Sequence, residues 1–358
     1  MHKVLIMIAK QREQSWDFVK FVLMFLIVFG HFCPAGELWT PVTRIVGLCA
    51  IPGFFFVSGY FQSQVKDWYS LLGKMQRLFM RIVLPMLSWG TIYVLVSFFQ
   101  RVFRGDITDA NGLYQFFKYF PIYIMGIYWF FTALIFCVIV GSLLSWFMKK
   151  NKFMGFFLLL VSPILFCVIS PSFFEHYHFS FVWLFYSVGI LYKHVADKYS
   201  STNNIWDIMF VVLFIIVVII GVGYEPQKTF YYESNLIRYS SVSFVTSRYV
   251  LYLLATTSVI YCLMRFYRIF KENRIVNRLA SFGADTLFIY CSHVLVLVFL
   301  YRPFLLPYLF HEQGGWSVRF LEHIVGLIVS VLMYYLMQNL CLYCKQFRWL
   351  RVFLMGIK

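Results

Sequence analysis

Long apolar runs recur along the whole sequence and leave few folds open. They fall at residues 14–33, 43–63, 81–100, 122–147, 153–170, 179–193, 206–223, 247–265, 281–301 and 318–343. A hydrocarbon core about 30 Å thick is crossed by roughly 20 apolar residues in helical form. Inside it the backbone must satisfy its own polar groups, which only helices and closed barrels do. Barrel strands would alternate apolar and polar positions, whereas these runs are continuous. The expected fold is therefore all-α, a polytopic integral membrane protein of about ten transmembrane helices, with residues 1–358 forming one membrane-embedded domain. A hydrophobic share of 61% against 13% charged residues agrees with this, since soluble domains carry about a quarter charged residues.

An even number of spans puts both ends of the chain on one side of the membrane. Placing them in the cytoplasm gathers most of the 31 lysines and arginines into inner groups near residues 3–20, 66–81, 149–152, 193–198, 265–278 and 345–358. The positive-inside rule then predicts N-in, C-in. The net charge of +16 reads as topology and attraction to anionic lipid headgroups, not as a nucleic-acid surface. The apolar stretch Val4 to Ala9 is too short for a secretory leader, so the first span is expected to direct insertion. Cys49, Cys137, Cys167, Cys262 and Cys291 lie inside spans, and Cys33 sits at an outer helix end. Cys341 and Cys344 form one C-x-x-C with no further ligands in register. Neither a disulfide framework nor a metal site is expected.

Ionisable residues inside spans are the strongest functional signal, because each costs on the order of 3 kcal/mol at mid-membrane. The first span holds Asp17, Lys20 and His31. Eleven residues separate Lys20 from His31, about 1,100° of rotation, so the two share a helix face; Asp17 belongs to the same stripe. Along the axis His31 lies about 16 Å from Lys20 and about 21 Å from Asp17, too far for either to orient it. Asp17 and Lys20, three apart, are spaced to pair with each other. A second histidine, His293, follows Tyr290 and Ser292 near mid-depth of the ninth span; such a residue equally suits an interhelical hydrogen bond. In PGFFFVSGYF, Gly53, Ser58 and Gly59 permit close helix approach. Arg77 and Arg81, four apart ahead of Pro85, offer paired guanidinium groups for phosphate, or simply snorkel. The outer segments 101–121 and 224–247 mix aromatic, hydroxyl and charged residues in a way that suits either sugar binding or a membrane interface.

Taken in order, Arg12, Asp17 and Lys20 with the Lys-x10-His interval to His31, then PGFFFVSGYF, RLFMRIVLP, IYWFFTALI around Trp129 and GADTLFIYCSH ending at His293, resemble the acyltransferase-3 family of bacterial membrane acyltransferases. The resemblance runs the full length of the sequence. It implies a ten-helix core in the bacterial cytoplasmic membrane that moves an acyl group, usually acetyl from acetyl-CoA, to a hydroxyl of a cell-envelope or lipid-linked polysaccharide. Acyl-CoA, the glycan acceptor and membrane lipids are the implied partners, and no permanently bound cofactor is expected. Trp16 and Phe21 depart from the family pattern around Lys20. The soluble domain fused to some members is absent from this sequence, which suggests a compact member.

Within that resemblance, Lys20, Arg77 and Arg81, with Trp129 nearby in the pattern, are expected to serve the donor, while Asp17 and Arg12 are charges of structural or functional use. His31 is expected to act as general base, since neutral imidazole accepts a hydroxyl proton near physiological pH, or alternatively as a transient acyl carrier. Tyr290, Ser58 or His293 would donate to the developing oxyanion. A transporter or flippase of lipid-linked glycans is the alternative class, given many spans and intramembrane charges, although paired repeats are not evident.

Overall fold

The computed structural model describes residues 14–32, 41–106, 110–169, 179–196, 204–223, 242–305 and 316–357. Among them every regular element is helical. In chain order these are α1 (Gln14–Phe32), α2 (Pro41–Tyr60), α3 (Trp68–Leu78), α4 (Leu84–Phe103), α5 (Ala110–Lys118), α6 (Phe120–Ile127), α7 (Trp129–Lys150) and α8 (Lys152–Ile169). They continue as α9 (Phe179–Ala196), α10 (Asn204–Gly223), α11 (Val242–Phe270), α12 (Arg274–Phe282), α13 (Thr286–Val296), α14 (Trp316–Gln346) and α15 (Arg348–Met355). A π-helical segment, Phe79–Val83, joins α3 to α4, and a second, Leu297–Leu305, prolongs α13.

Each of the ten expected spans is helical over most of its described residues. Six stretches are long and apolar enough to cross a membrane: Gln14–Phe32, Trp68–Phe103, Trp129–Lys150, Tyr249–Phe270, Arg274–Tyr301 and His323–Gln346. Shorter apolar helices, Val46–Tyr60, Phe153–Pro163, Phe181–Lys193 and Asp207–Ile220, stand at the other four positions. Apolar side chains left exposed on α10 and α14, such as Ile208, Ile219, Leu332 and Leu336, are what lipid-facing helices present. The protein is a multi-pass membrane protein.

Two expectations change in detail. The third span starts at Trp68, not at residue 81, because Asp67 caps α3: its carboxylate accepts from Ser70 N–H at 2.7 Å while Ser70 Oγ accepts from Asp67 N–H at 3.0 Å. This is a capping box. Polar residues such as Lys74, Gln76 and Arg77 lower the apolarity of that first stretch and hide it from a hydropathy reading. The segment after residue 101, expected as an outer loop, also folds further than that, into α5 and α6, with Pro121 in the first turn of α6, where its missing N–H costs nothing.

Contacts divide the chain into two compact units. One comprises residues up to Ser58, Tyr192–Tyr231 and Tyr239–Gln338; the other comprises Gly59–Leu191, Tyr232–Arg238 and Asn339–Lys358. In the first unit α1 is central. It buries Trp16, Val19, Leu23 and Ile27 along one face, the spacing of an amphipathic stripe. Phe18 stacks on Phe266 at 5.7 Å and packs with Tyr267, Val276 and Ala280. A Cβ placed on Gly283 would overlap the Asp17 carbonyl oxygen. The chain just before α13 therefore meets α1 backbone to backbone, as small residues allow between membrane helices.

The second unit is tied by a buried polar chain. Tyr186 OH donates to Gln62 Oε1 at 2.6 Å, Gln62 Nε2 donates to Ser142 Oγ at 3.2 Å, and Val65 N–H donates to Ser145 Oγ at 3.4 Å. A Cβ on Gly59 would overlap the Tyr186 carbonyl oxygen, so the glycine of the VSGYF stretch is what lets α9 come close enough for this network.

Candidate functional site

α1 is uninterrupted from Gln14 to Phe32, so the axial separation deduced for its three ionisable residues holds. At one end Lys20 Nζ donates to Asp17 Oδ1 at 2.7 Å, the i, i+3 pairing that their spacing allows. At the other end stand His31 and Phe32. The last carbonyls of a helix lack intrahelical donors. That of Phe32 receives the hydroxyl of Tyr301 at 2.5 Å, with the two rings edge to face at 4.8 Å. Both residues are fully buried. Tyr301 lies in the π-helical continuation of α13, so the end of α1 is fastened to the helix that carries His293.

α13 buries Phe288, Ile289, Tyr290, Cys291, Ser292 and His293 in succession. The His293 ring lies 5.2 Å from that of His31, centroid to centroid, at an angle of 36°. His31 is exposed and His293 is 1% exposed. His293 Nδ1 sits 3.3 Å from the Ile289 carbonyl oxygen. In a neutral ring that nitrogen is then the N–H donor, and Nε2 carries the lone pair. Among the described residues Nε2 is buried and has no hydrogen-bond partner. Leaving a buried polar atom unmatched costs about 1–3 kcal/mol, and such atoms in native proteins call for a functional explanation. An interhelical hydrogen bond, the simpler expectation for a membrane histidine, does not occupy this nitrogen. Tyr290 flanks the pair, its ring 5.3 Å from that of His293.

The remaining expected residues are placed as follows. Ser58 Oγ donates to the Phe54 carbonyl of its own helix at 2.8 Å, which commits its hydroxyl hydrogen there. Arg77 and Arg81 belong to the second unit, exposed on α3 and on the π-helical segment. Leu84 N–H bonds to the Phe79 carbonyl, five residues back, so the turn holding Arg81 is wider than the α-helix assumed from the sequence. Trp129, partly buried, opens α7 in the same unit. Arg12 and residues 224–241 lie outside the described residues. Among the described residues no group of three or more His, Cys, Asp or Glu could hold a metal ion, and Cys341 and Cys344 are buried and not joined in a disulfide.

Two participants escaped the sequence reading. Asp285, 6% exposed at the entry to α13, accepts a hydrogen bond from Gln338 Nε2 at 2.9 Å. It is an acidic residue inside the ninth span, and the rule that singled out Asp17 would have found it. Tyr301 gave no signal, since a tyrosine near a helix end is ordinary at a membrane interface.

An all-helical membrane protein with paired imidazoles between two of its helices defines a class that comparison with known proteins narrows. The acyltransferase domain family matches residues 13–335, and the chain belongs to that family. It is similar to nodulation protein NolL of Sinorhizobium fredii (strain NBRC 101917 / NGR234), with 23% identity over 204 residues, 54% of this chain and 52% of the relative. The chain thus spans about half the length of the curated relative it matches. No solved structure matches it.

Proposed function

We propose that the protein is an inner-membrane O-acyltransferase, N-in and C-in, that moves an acyl group, acetyl by preference, from cytosolic acyl-CoA to a hydroxyl of a cell-envelope or lipid-linked polysaccharide. Membership of the acyltransferase family supports the reaction class. The observation that carries the assignment of the site is the His31–His293 pair: two imidazoles 5.2 Å apart, one exposed and one buried with an unpartnered Nε2.

In this reading the exposed His31 is the general base. It removes the proton from the acceptor hydroxyl as that oxygen attacks the thioester carbonyl. The C–S bond then breaks, the ester forms, and the released thiolate takes up the proton to leave free CoA. His293, whose Nδ1–H is committed to Ile289, cannot donate from Nε2 while neutral. Its unpartnered Nε2 is an acceptor beside the His31 ring, and its part is to take a hydrogen bond from that ring once the acceptor glycan has bound, holding one tautomer of it. The oxyanion role passes to Tyr290, whose ring lies beside that of His293. Asp17 neutralises Lys20, which leaves Arg77 and Arg81 as the guanidinium groups for the donor's phosphates.

The test is acyl transfer by purified protein in lipid nanodiscs, with acetyl-CoA and the surface glycan of the parent cell. The wild type should release CoA in step with glycan acylation, and His31→Ala, shown to be folded, should abolish both. Undiminished acylation by His31→Ala would overturn the assignment of the base. Movement of labelled lipid-linked glycan across vesicles without thioester consumption would overturn the enzyme reading itself.

A further inference from the structure

The π-helical turn that carries Arg81 is capped by a distant part of the same unit. Helix α15 ends in a left-handed αL cap: Gly356, at φ 64°, donates its N–H to the Val352 carbonyl at 3.0 Å, and Ile357 N–H reaches the Arg351 carbonyl at 3.2 Å. Glycine is the residue that takes this left-handed conformation without strain. Here it has a second use, because a Cβ on Gly356 would overlap the Met80 carbonyl oxygen and press on Arg81 Cα. Pro85 explains what Gly356 meets. In a π turn the N–H of residue 85 would bond back to residue 80, and proline has none, so Gly356 packs on a carbonyl that its own helix leaves without that partner. Trp89 Nε1 donates to the Leu354 carbonyl at 3.0 Å, with both residues buried, and fixes the segment a second time.

This docking carries charge with it. Arg351 lies five residues before Gly356, partly buried, and its Nε is enclosed without a hydrogen-bond partner among the described residues. Arg348 precedes it by three residues on the same helix. The segment Trp68–Phe103 and the stretch from Asn339 onward contain no aspartate or glutamate. Among the described residues Arg77, Arg81, Arg348 and Arg351 form no ion pair. Guanidinium groups assembled on abutting segments without a counter-charge are suited to a multiply charged phosphate ligand.

We propose that Arg351, held against the Arg81 turn by the Gly356 cap and assisted by Arg348, completes with Arg77 and Arg81 a phosphate-binding site for the nucleotide end of the acyl donor. This rests on the acyl-CoA reading above and extends it to a helix that none of the sequence motifs includes. The same phosphate chemistry is offered by anionic lipid headgroups, so the experiment separates the two sources.

Wild type, Arg351→Gln and Arg351→Lys are compared in zwitterionic nanodiscs with acetyl-CoA and with S-acetylpantetheine, which lacks every phosphate. Binding of CoA alone is measured in parallel. The expected result for Arg351→Gln is a KM for acetyl-CoA and a Kd for CoA about tenfold higher, the loss of one charge-assisted contact. Its kcat and its KM for S-acetylpantetheine should be unchanged, with partial recovery in Arg351→Lys. Equal effects on both donors, or on neither, overturn the nucleotide site. If the wild type binds no CoA, the donor reading has failed separately. Melting in nanodiscs with and without phosphatidylglycerol then decides: stabilisation lost in Arg351→Gln supports a phosphate site filled by lipid, and stabilisation that persists overturns a phosphate site of either kind.

Discussion

Tyr301→Phe isolates one hydrogen bond at the site. The aromatic ring stays, so the edge-to-face packing at 4.8 Å on Phe32 is kept, and only the hydroxyl that reaches the Phe32 carbonyl at 2.5 Å is removed. That carbonyl is at a helix end and inside a fully buried residue, so no intrahelical donor replaces the lost one. An acceptor left unsatisfied in such a place costs about 1–3 kcal/mol. The cost falls on the attachment of the residue next to His31. A base displaced by about 1 Å loses on the order of a hundredfold in rate. The expected outcome is a kcat lower by roughly ten- to a hundredfold with the donor KM unchanged, together with a lower melting temperature in nanodiscs. Tyr335→Phe, on an exposed face of α14, serves as the control. A Tyr301→Phe protein with the kcat and melting temperature of the wild type would refute the claim that this bond seats His31.

Other outcomes follow from the same contacts. His293→Phe keeps a buried ring but removes both nitrogens; kcat should fall by about 10²–10⁴-fold and its pH profile should change shape, as general-base function depends on the tautomer of His31. Gln62→Leu deprives the buried Tyr186 hydroxyl of its acceptor and Ser142 Oγ of one donor and should lower stability by about 1–3 kcal/mol, read as the melting temperature, with KM values unaffected. Gly283→Val should prevent accumulation of folded protein, because its side chain would occupy the place of the Asp17 carbonyl. The Ser70 N–H holds the Asp67 carboxyl below its ordinary value of 3.8. A depressed carboxyl favours folding above its unfolded value and loses that contribution as pH falls through the folded one. Asp67→Asn should therefore flatten the acid limb of thermal stability below about pH 4 and leave the neutral region unchanged in slope.

Length and apolarity alone located ten helices, because a bilayer imposes both on any segment that crosses it. Helical rise placed Asp17 and Lys20 together and His31 apart, since that arithmetic needs only a continuous helix. Other features depended on contacts that no local pattern encodes. His31 and His293 are 262 positions apart in the chain, and their pairing rests on Gly283 against Asp17 and on Tyr301 bonded to Phe32. The extension of the third span back to Trp68 was hidden because its polar residues lower apolarity while its cap, Asp67 with Ser70, raises helix stability by a different means. The wide turn at Phe79–Val83 arises from Pro85 and the docking of Gly356, of which only the proline is visible locally.

The π-helical continuation of α13 makes the spacing between His293 and Tyr301 a matter of phase. A π turn inserts a residue without adding a full turn, which rotates everything beyond it by about 100° relative to an unbroken α-helix. Deleting one residue between Leu297 and Leu300 would let the stretch close into an α-helix with Tyr301 still on the side of the Phe32 carbonyl, whereas inserting one there would leave His293 where it is and swing Tyr301 away. Among relatives of this chain, substitutions along α13 are then tolerable wherever packing allows, whereas one residue added between His293 and Tyr301 unlatches α1 even though every side chain of the site is still present.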